Sequence, residues 1–490
     1  MTRTDTLKRA AVLALATAAA FTSQAQDASA LVDALVRKGV LTDREAAEVR
    51  AEMNREPANS SAGKINLSNS VSEMKLYGDL RLRYQYDNKD AQVDAVDPDG
   101  DADRSPSGTQ RSRWRFRLRL NADFKLGEDF FGGVELQTGI ASDSANQTFE
   151  DGFTDYPIFI SRAYVGWTPA DWLTVTGGKV PNPFYTTDLV WDADINPTGI
   201  TETFALHKLW GASGETLSGF SKDGKAVHPT APTLPWELSL VAGQFIFDDN
   251  LESGTDADSS TDAYLFQAQL VGAYKVGKDT KLTVAPGWMI YNAASTAASF
   301  DLNDNDFQDD DGPGISGAQR NLNILLLPGD LTTKIAGVKT KFYWDIAYNL
   351  EGRKRVEEIY SVIDLRNGGA DPDDRQRNSP RDRYAWLAGV QVGENKKHGD
   401  WSLLLNYRET GLGAVDPNLN DSDFASGELN TRGIKAGFAY NLTDFAVFGV
   451  TYYQAWDLRD DLVGGEATGG NSVADLNEYQ AIQVDLNVKF

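Results

Sequence analysis

From residue 73 onward the chain alternates. Apolar side chains recur at every second position over runs of about 9–14 residues, the period of a strand with one apolar and one polar face. In 261–276, Tyr264, Phe266, Ala268, Leu270, Gly272 and Tyr274 share one face, and Gln267, Gln269 and Lys275 take the other. In 332–350, Phe342, Trp344, Ile346 and Tyr348 alternate with Lys341, Tyr343, Asp345 and Asn349. In 431–442, Ile434, Ala436, Phe438 and Tyr440 alternate with Lys435 and Asn441. Sixteen such segments are expected, at 73–86, 111–126, 129–141, 157–169, 171–180, 201–211, 235–247, 261–276, 279–291, 320–328, 332–350, 381–394, 400–409, 431–442, 444–457 and 478–490. The sixth, tenth and fifteenth are the least regular.

The connections alternate too. Short turns follow the second, fourth, eighth, tenth, twelfth and fourteenth segments. Five of them place an Asp at the start of the next strand: Asp129, Asp171, Asp279, Asp400 and Asp444. Long loops rich in Asp, Asn, Gly and Ser follow the odd-numbered segments, near 87–110, 142–156, 181–200, 248–260, 292–319, 351–380, 410–430 and 458–477. One connection breaks the rule, since 212–234 is long where a short turn is expected. Long loops on one side and short turns on the other describe a barrel that spans a membrane. In lipid every backbone polar group must be paired internally, so only helices and closed barrels can cross. The predicted fold class is therefore all-β: a transmembrane antiparallel up-and-down β-barrel of about 16 strands, with a short N-terminal helical segment. Aromatic residues gather at strand ends, as an interfacial girdle requires: Tyr84, Tyr86, Trp114, Trp172, Trp288, Tyr291, Trp386, Trp401, Tyr407 and Trp456. A soluble propeller or sandwich would hide its apolar faces between sheets instead.

The first 72 residues follow other rules. Arg3, Lys8 and Arg9 precede a short apolar run from Ala10 to Phe21, and Ser23 and Ala25 are small residues at the −3 and −1 positions of a cleavage site. Residues 1–25 read as a secretory signal peptide. Residues 26–56 carry helical spacing in Leu31, Leu35, Val36, Leu41, Ala46 and Val49, with a capping box at Thr42 and Glu45. They read as a periplasmic helical segment, either an oligomer or cell-wall contact or a plain amphipathic appendage. Residues 57–72 form a linker, and the barrel domain runs over 73–490.

Composition narrows the chemistry. The chain has 490 residues, a formal net charge of −24, no Cys and three His, at 207, 228 and 398. An acidic chain repels nucleic acid, which is excluded as a partner. Without Cys there is no disulfide framework or thiolate site. A hydrolase needs a nucleophile beside an oriented base, and no Gly-x-Ser-x-Gly elbow or grouped His is present, so no catalytic residues are assigned and an enzyme is not expected. No cofactor and no metal site are expected either. The acidic run 301–312 lacks the Gly at position six and the Glu at position twelve of an EF-hand loop and reads as a solvated surface loop, with a divalent-ion site on its oxygen ligands as the alternative.

The last strand is distinctive. Ile482, Val484, Leu486, Val488 and Phe490 fall on one face, and Gln483, Asp485, Asn487 and Lys489 on the other. A terminal amphipathic strand ending in Phe resembles the signal that outer-membrane proteins present to the barrel-assembly machinery. Leu486, Val488 and Phe490 are the residues assigned to it.

The strand 111–120 is unusual. Arg113, Arg115, Arg117 and Arg119 share one face, and Trp114, Phe116, Leu118 and Leu120 the other. An Arg facing lipid at the bilayer midplane would cost about 2–4 kcal/mol, so the Arg ladder must line the lumen. Arg81 and Arg83 on the neighbouring strand extend this basic wall. The loop at 181–200 carries Asp188, Asp192 and Asp194 beside Phe184, Tyr185 and Trp191. Apolar side chains in a polar loop suggest that it folds into the lumen as a constriction. Basic wall and acidic loop would then face each other across a transverse field, or the Arg residues would simply pair with acids to hold the barrel interior together.

Most of the mature chain resembles the putative porin family of Gram-negative outer-membrane proteins, including Leu31–Thr42, Lys75–Tyr84 and Gly178–Trp191, the last being the most specific. The resemblance implies a porin-like channel in the cell outer membrane, a trimer as in general porins, and contact with outer-membrane lipid and lipopolysaccharide. It supplies no substrate. The expected function is passive diffusion of small hydrophilic solutes or ions. A substrate-specific sugar or anion porin and a plugged structural or adhesive barrel remain the alternatives. The Arg ladder argues for anions and the acidic loops for cations.

Overall fold

A computed structural model describes residues 68–96, 102–139, 144–149, 151–153, 155–210, 219–220, 226–227, 235–248, 263–292, 322–357, 379–459 and 476–490. The signal peptide, the helical segment 26–56, most of the linker and the acidic run 301–312 lie outside these residues.

The strands are β1 (Val71–Val96), β2 (Ala102–Leu126), β3 (Phe130–Gln137), β4 (Gln147–Thr148), β5 (Phe159–Ala170), β6 (Leu173–Lys179), β7 (Thr198–Phe204), β8 (Gly219–Phe220), β9 (Ala226–Val227), β10 (Trp236–Asp248), β11 (Ala263–Lys275), β12 (Lys281–Val284), β13 (Gly287–Asn292), β14 (Asn323–Leu326), β15 (Gly329–Ile335), β16 (Val338–Asn349), β17 (Tyr384–Gly393), β18 (Trp401–Thr410), β19 (Thr431–Asn441), β20 (Ala446–Asp457) and β21 (Leu476–Lys489). Each pairs antiparallel with its neighbours, and β21 pairs with β1, so the sheet closes on itself as a barrel of sixteen staves. β12 with β13, and β14 with β15, are single staves interrupted at Pro286 and Pro328, where a missing N–H breaks the ladder. The small hairpin β8–β9 stands apart from the barrel sheet.

Closure is made by the end of the chain. The Gly78 N–H donates to Phe490 O at 2.9 Å, and the Phe490 N–H returns a bond to Gly78 O at 3.0 Å. A Cβ on Gly78 would lie 2.8 Å from the Phe490 ring and 2.4 Å from Arg119 O, so only glycine admits the terminal aromatic here.

The two faces of the wall separate as the period-2 pattern predicts. On β1 and β2, Leu82 is 44% and Trp114 60% exposed, whereas Arg83 is 3% and Arg117 6% exposed. On β11, Tyr264, Phe266, Leu270 and Tyr274 face out, and Leu265, Gln267 and Gln269 are buried within. Five of the six short turns fall where expected, and Asp residues in them have work there. The Asp400 carboxylate accepts from the Lys396 and Lys397 N–H groups at 3.2 and 3.0 Å, and Asp444 accepts from the His398 N–H at 2.6 Å.

Several expected boundaries move. β1 and β2 run on through 87–96 and 102–110, where a loop was expected. The tenth stave continues past Pro328 to Ile335, and the turn lies at Ala336 and Gly337, both with positive φ. The sixth stave ends at Phe204, and a helical turn at His207–Trp210 begins the long connection. Tyr291 does not belong to the outer girdle: it faces inward, 7% exposed, and its hydroxyl donates to Asp416.

Candidate functional site

The lumen is built from the inward faces of the staves, and its two sides differ. On β1 and β2 the register sets Arg81 opposite Arg117 and Arg83 opposite Arg115. Adjacent like charges repel, so the wall needs anions beside it. Asp79 supplies one, 2.8 Å from Arg117 Nη2 and 2.7 Å from Arg119 Nε. Asp485 of β21 meets Arg83 Nε at 2.8 Å, and Asp87 meets Arg113 at 3.2 Å. Arg81 donates to Asn146 Oδ1 at 2.5 Å, while Arg115 donates to Gln85 Oε1 at 3.2 Å and Asn146 O at 3.4 Å. Among the described residues, these two guanidinium groups have no carboxylate at ion-pair distance.

The other side, from β10 to β17, turns apolar side chains inward: Val241, Phe245, Leu265, Met289, Ile324 and Leu387 are all buried. This surface receives the segment 181–197, which joins β6 to β7. Phe184, Leu189, Val190 and Trp191 pack on it, with the Phe184 and Trp191 rings edge-on to Phe245 at 6.1 and 6.4 Å between centroids. Polar contacts fix the register. Gln269 Oε1 accepts from the Tyr185 N–H at 2.8 Å, and Gln269 Nε2 donates to Tyr185 O at 2.7 Å. Trp191 Nε1 donates to Gln267 at 3.0 Å, Thr187 Oγ1 to Asp345 at 2.8 Å, and the Tyr185 hydroxyl to Asp330. The loop folds inward as its apolar residues predict.

The three loop acids take different partners. Asp194 reaches the basic wall, 3.7 Å from Arg117 and 3.6 Å from Arg119. Asp188 points the other way, to Lys435 of β19 at 2.5 Å and Arg408 of β18 at 3.1 Å. Asp192 meets no cation among the described residues; its Oδ2 accepts from the Ser422 N–H at 3.3 Å.

Ser422 belongs to a second infolded segment. The connection 411–430 between β18 and β19 reads as a polar surface loop, yet almost all of it is buried. It packs on 181–197 through backbone bonds, from Asp192 N to Leu419 O at 2.6 Å and from Asp421 N to Asp188 O at 3.0 Å. Asp421 completes a four-charge cluster with Asp188, Arg408 and Lys435, and Asp423 crosses to Arg83 of the basic wall at 3.2 Å. Ala145 is buried as well, and its N–H donates to Asp194 at 3.3 Å. The two loops thus connect the apolar side of the lumen to the basic side.

Charge states follow from these contacts. Burial favours the neutral form of Asp188, but Arg408 and Lys435 override it and hold the carboxyl well below the usual range. Asp192 has no such help: burial first, then repulsion from Asp421, pushes it up to about 8. The basic wall is thus largely neutralised, and the acidic loop is only partly ionised at neutral pH. The expected open gap between the two is bridged by direct ion pairs. Among the described residues no grouping of His, Cys, Asp and Glu is arranged to hold a metal ion.

The sequence did not point to Arg408, Lys435, Asp421 and Asp423. Lys435 was visible as a polar position on an alternating strand. The two Asp residues sit in a run whose polarity matched the solvated loops.

A family model described as "Putative porin" matches residues 3–306 and 333–490. No curated protein matches the chain. Among solved structures, a Salmonella typhi OmpF in complex with daunomycin is similar at 12% identity and a TM-score of 0.39, over 87% of this chain and 100% of that one. An anion-selective porin from Comamonas acidovorans is similar at 12% identity and a TM-score of 0.39, over 85% of this chain and 99% of that one.

Proposed function

The chain belongs to the putative porin family, and from that premise we propose that it is a passive diffusion channel of the outer membrane for small hydrophilic solutes and ions. The observation that carries the reading is the sorting of side chains across one closed wall, apolar outside and, within, a charged side on β1 and β2 facing an apolar side covered by 181–197. A lumen lined by Arg, Asp and Gln is a place for water and solute, and an apolar exterior meets membrane lipid and lipopolysaccharide. The segment 181–197 with Asp188, Asp192 and Asp194 is the constriction element. Arg81, Arg83, Arg113, Arg115, Arg117 and Arg119 are the basic wall of the path. The chain works as a trimer, and Leu486, Val488 and Phe490 form the strand offered to the assembly machinery. No enzymatic step is assigned.

Selectivity follows from pairing rather than from the number of Arg residues. Arg113, Arg117, Arg119 and Arg83 each have a carboxylate partner, which among the described residues leaves Arg81 and Arg115 to attract anions. The test is single-channel recording of the purified protein across a salt gradient. Discrete open steps with an anion-selective reversal potential are expected. Replacing Arg81 and Arg115 together by Gln moves that potential toward cations. A second reading, a plugged structural barrel, is favoured by the two loops that occupy the lumen. A well-folded protein that stays silent in the bilayer would establish it.

A further inference from the structure

Arg83 holds two carboxylates, and it holds them differently. It grips Asp485 of β21 with a fork, Nε donating to Oδ1 at 2.8 Å and Nη2 to Oδ2 at 3.0 Å. Asp423 of the infolded segment 411–430 takes only Nη1, at 3.2 and 3.4 Å. Charge-assisted bonds of this kind run to about 2.7–2.9 Å, so the contact with Asp423 is the weaker of the two. Among the described residues Arg83 is the only donor to the Asp423 carboxylate. The Asp423 side chain is 29% exposed, against 8% for Asp421 two residues before it, so a solute in the lumen can reach it.

The place that Asp423 enters is underfilled. The charges of Arg81 and Arg115, and of Lys435, act on the same carboxylate as Arg83 does. Arg81 and Arg115 otherwise donate to neutral oxygens of Asn146, Gln85 and Ser144. The Nε of each is buried and has no acceptor. Buried donors without acceptors are costly, and a well-placed anion would relieve both. The backbone that delivers Asp423 is strained. Ala425, Ser426, Gly427 and Asn430 have φ of 52°, 60°, 80° and 56°, a conformation that side chains other than glycine disfavour. Phe424 keeps the strained turn in place, its ring 4.1 Å from the Arg408 guanidinium and edge-on to Tyr453. Before it, Asp421 is fixed by Arg408 and Lys435. A firm anchor, a strained turn and a weak tip describe a carboxylate that can be displaced.

We propose that Arg81, Arg83 and Arg115 form a binding site for small monocarboxylates, and that Asp423 is a tethered competitor resting in it. This deepens the channel reading above, on which it rests, by naming a solute class. A carboxylate is the ligand because the site already takes one from its own chain. A solute with a single carboxylate replaces Asp423 charge for charge and offers the same planar pair of oxygens, now free to meet the unused Nε donors. Tethering holds Asp423 at a high effective concentration, so a solute must outcompete it, and its departure frees the strained turn.

The test records chloride current through the full-length protein in a planar bilayer while potassium propionate is added. The reading is the propionate concentration that gives half of the maximal change in current. Asp423→Asn and Asp423→Ser are each expected to lower it about tenfold or more, because the competitor is gone. Asp423→Glu keeps the carboxylate and should stay near the unmodified protein. Arg115→Gln should raise the concentration, and propionamide, which has the same shape and no charge, should leave the current unchanged. Heat-modifiable gel mobility confirms that each barrel is folded. The same half-saturation with and without the Asp423 carboxylate would overturn the competitor. Propionamide acting as well as propionate, or conducting protein with no saturable response to propionate, would overturn the site. Absence of current in the unmodified protein before any propionate is added would instead overturn the porin reading.

Discussion

The segment 181–197 enters the lumen on apolar side chains, with Phe184, Leu189, Val190 and Trp191 buried against the inner faces of β10 to β16. The segment 411–430 also buries apolar side chains, Leu412, Val415, Leu419 and Leu429 in the same cluster, and adds a larger set of buried polar contacts. Asp416 accepts from Tyr291 and from the Asn418 N–H, Asn420 Nδ2 donates to Gly427 O at 3.2 Å, and Asn349 Nδ2 of the wall donates to Gly413 O at 2.7 Å. Both are buried by a mixture of apolar and polar contacts, with the polar share larger in 411–430. Apolar burial scales with area and needs no exact partner. Polar burial is tolerated only when each donor and acceptor is met, so its stability rests on geometry fixed by the rest of the fold.

The cluster of Arg408, Lys435, Asp188 and Asp421 joins the two segments, and removing one member should disturb both. Arg408→Ala leaves two buried carboxylates with Lys435 alone, at a cost of about 3–5 kcal/mol by analogy with broken buried ion pairs. Hydrogen exchange in detergent should show lost protection in 181–197 and 411–430 together. Loss in only one of them would break the link. Trp191→Ala should cost about 3 kcal/mol as a cavity against Phe245, and should loosen 181–197 far more than 411–430. Tyr291→Phe removes one hydrogen bond from Asp416, worth about 1 kcal/mol, and its effect should be confined to 411–430.

A finer test uses pH. The carboxyl of Asp192 is raised by burial and by Asp421 from an ordinary 3.8 to about 8, so the folded loop binds its proton more tightly than an unfolded one would. The loop contact is therefore at full strength below about pH 4, weakens as pH rises toward 8, and changes no further above it. Asp192→Asn should flatten this slope, read as loop protection against pH, while leaving the barrel midpoint within about 0.5 kcal/mol. An unchanged slope would assign the proton to another group.

The contrast between the loops also explains what the sequence disclosed. Alternation located the staves, because a lipid face and a wet face impose period two on almost every strand. The infolding of 181–197 was legible for the same reason, since Phe184, Tyr185 and Trp191 have no place in a solvated loop. Residues 411–430 gave a weaker sign: Leu412, Val415, Leu419, Phe424 and Leu429 are buried as well, but they are scattered among Asn, Asp, Ser and Gly, which look alike whether water or the protein satisfies them. The tenth stave misled for a local reason. Pro328 and Gly329 look like a turn, but they interrupt a strand, and Gly329 is small because a Cβ there would lie 2.3 Å from the Trp344 ring. The true turn at Ala336 has a left-handed non-glycine residue that composition does not flag. Pairing within the basic wall was also hidden, because Asp423 is distant in sequence from the Arg83 it neutralises.

The central claim is that two infolded segments jointly narrow a conducting lumen. Single-channel conductance of the intact protein, compared with a variant whose residues 413–428 are replaced by a short Gly-Ser turn, tests it most directly. The account predicts discrete steps in both, larger in the variant, with barrel closure at Gly78 and Phe490 unaffected. Steps of equal size would show that 411–430 lies outside the conducting path and would contradict the account.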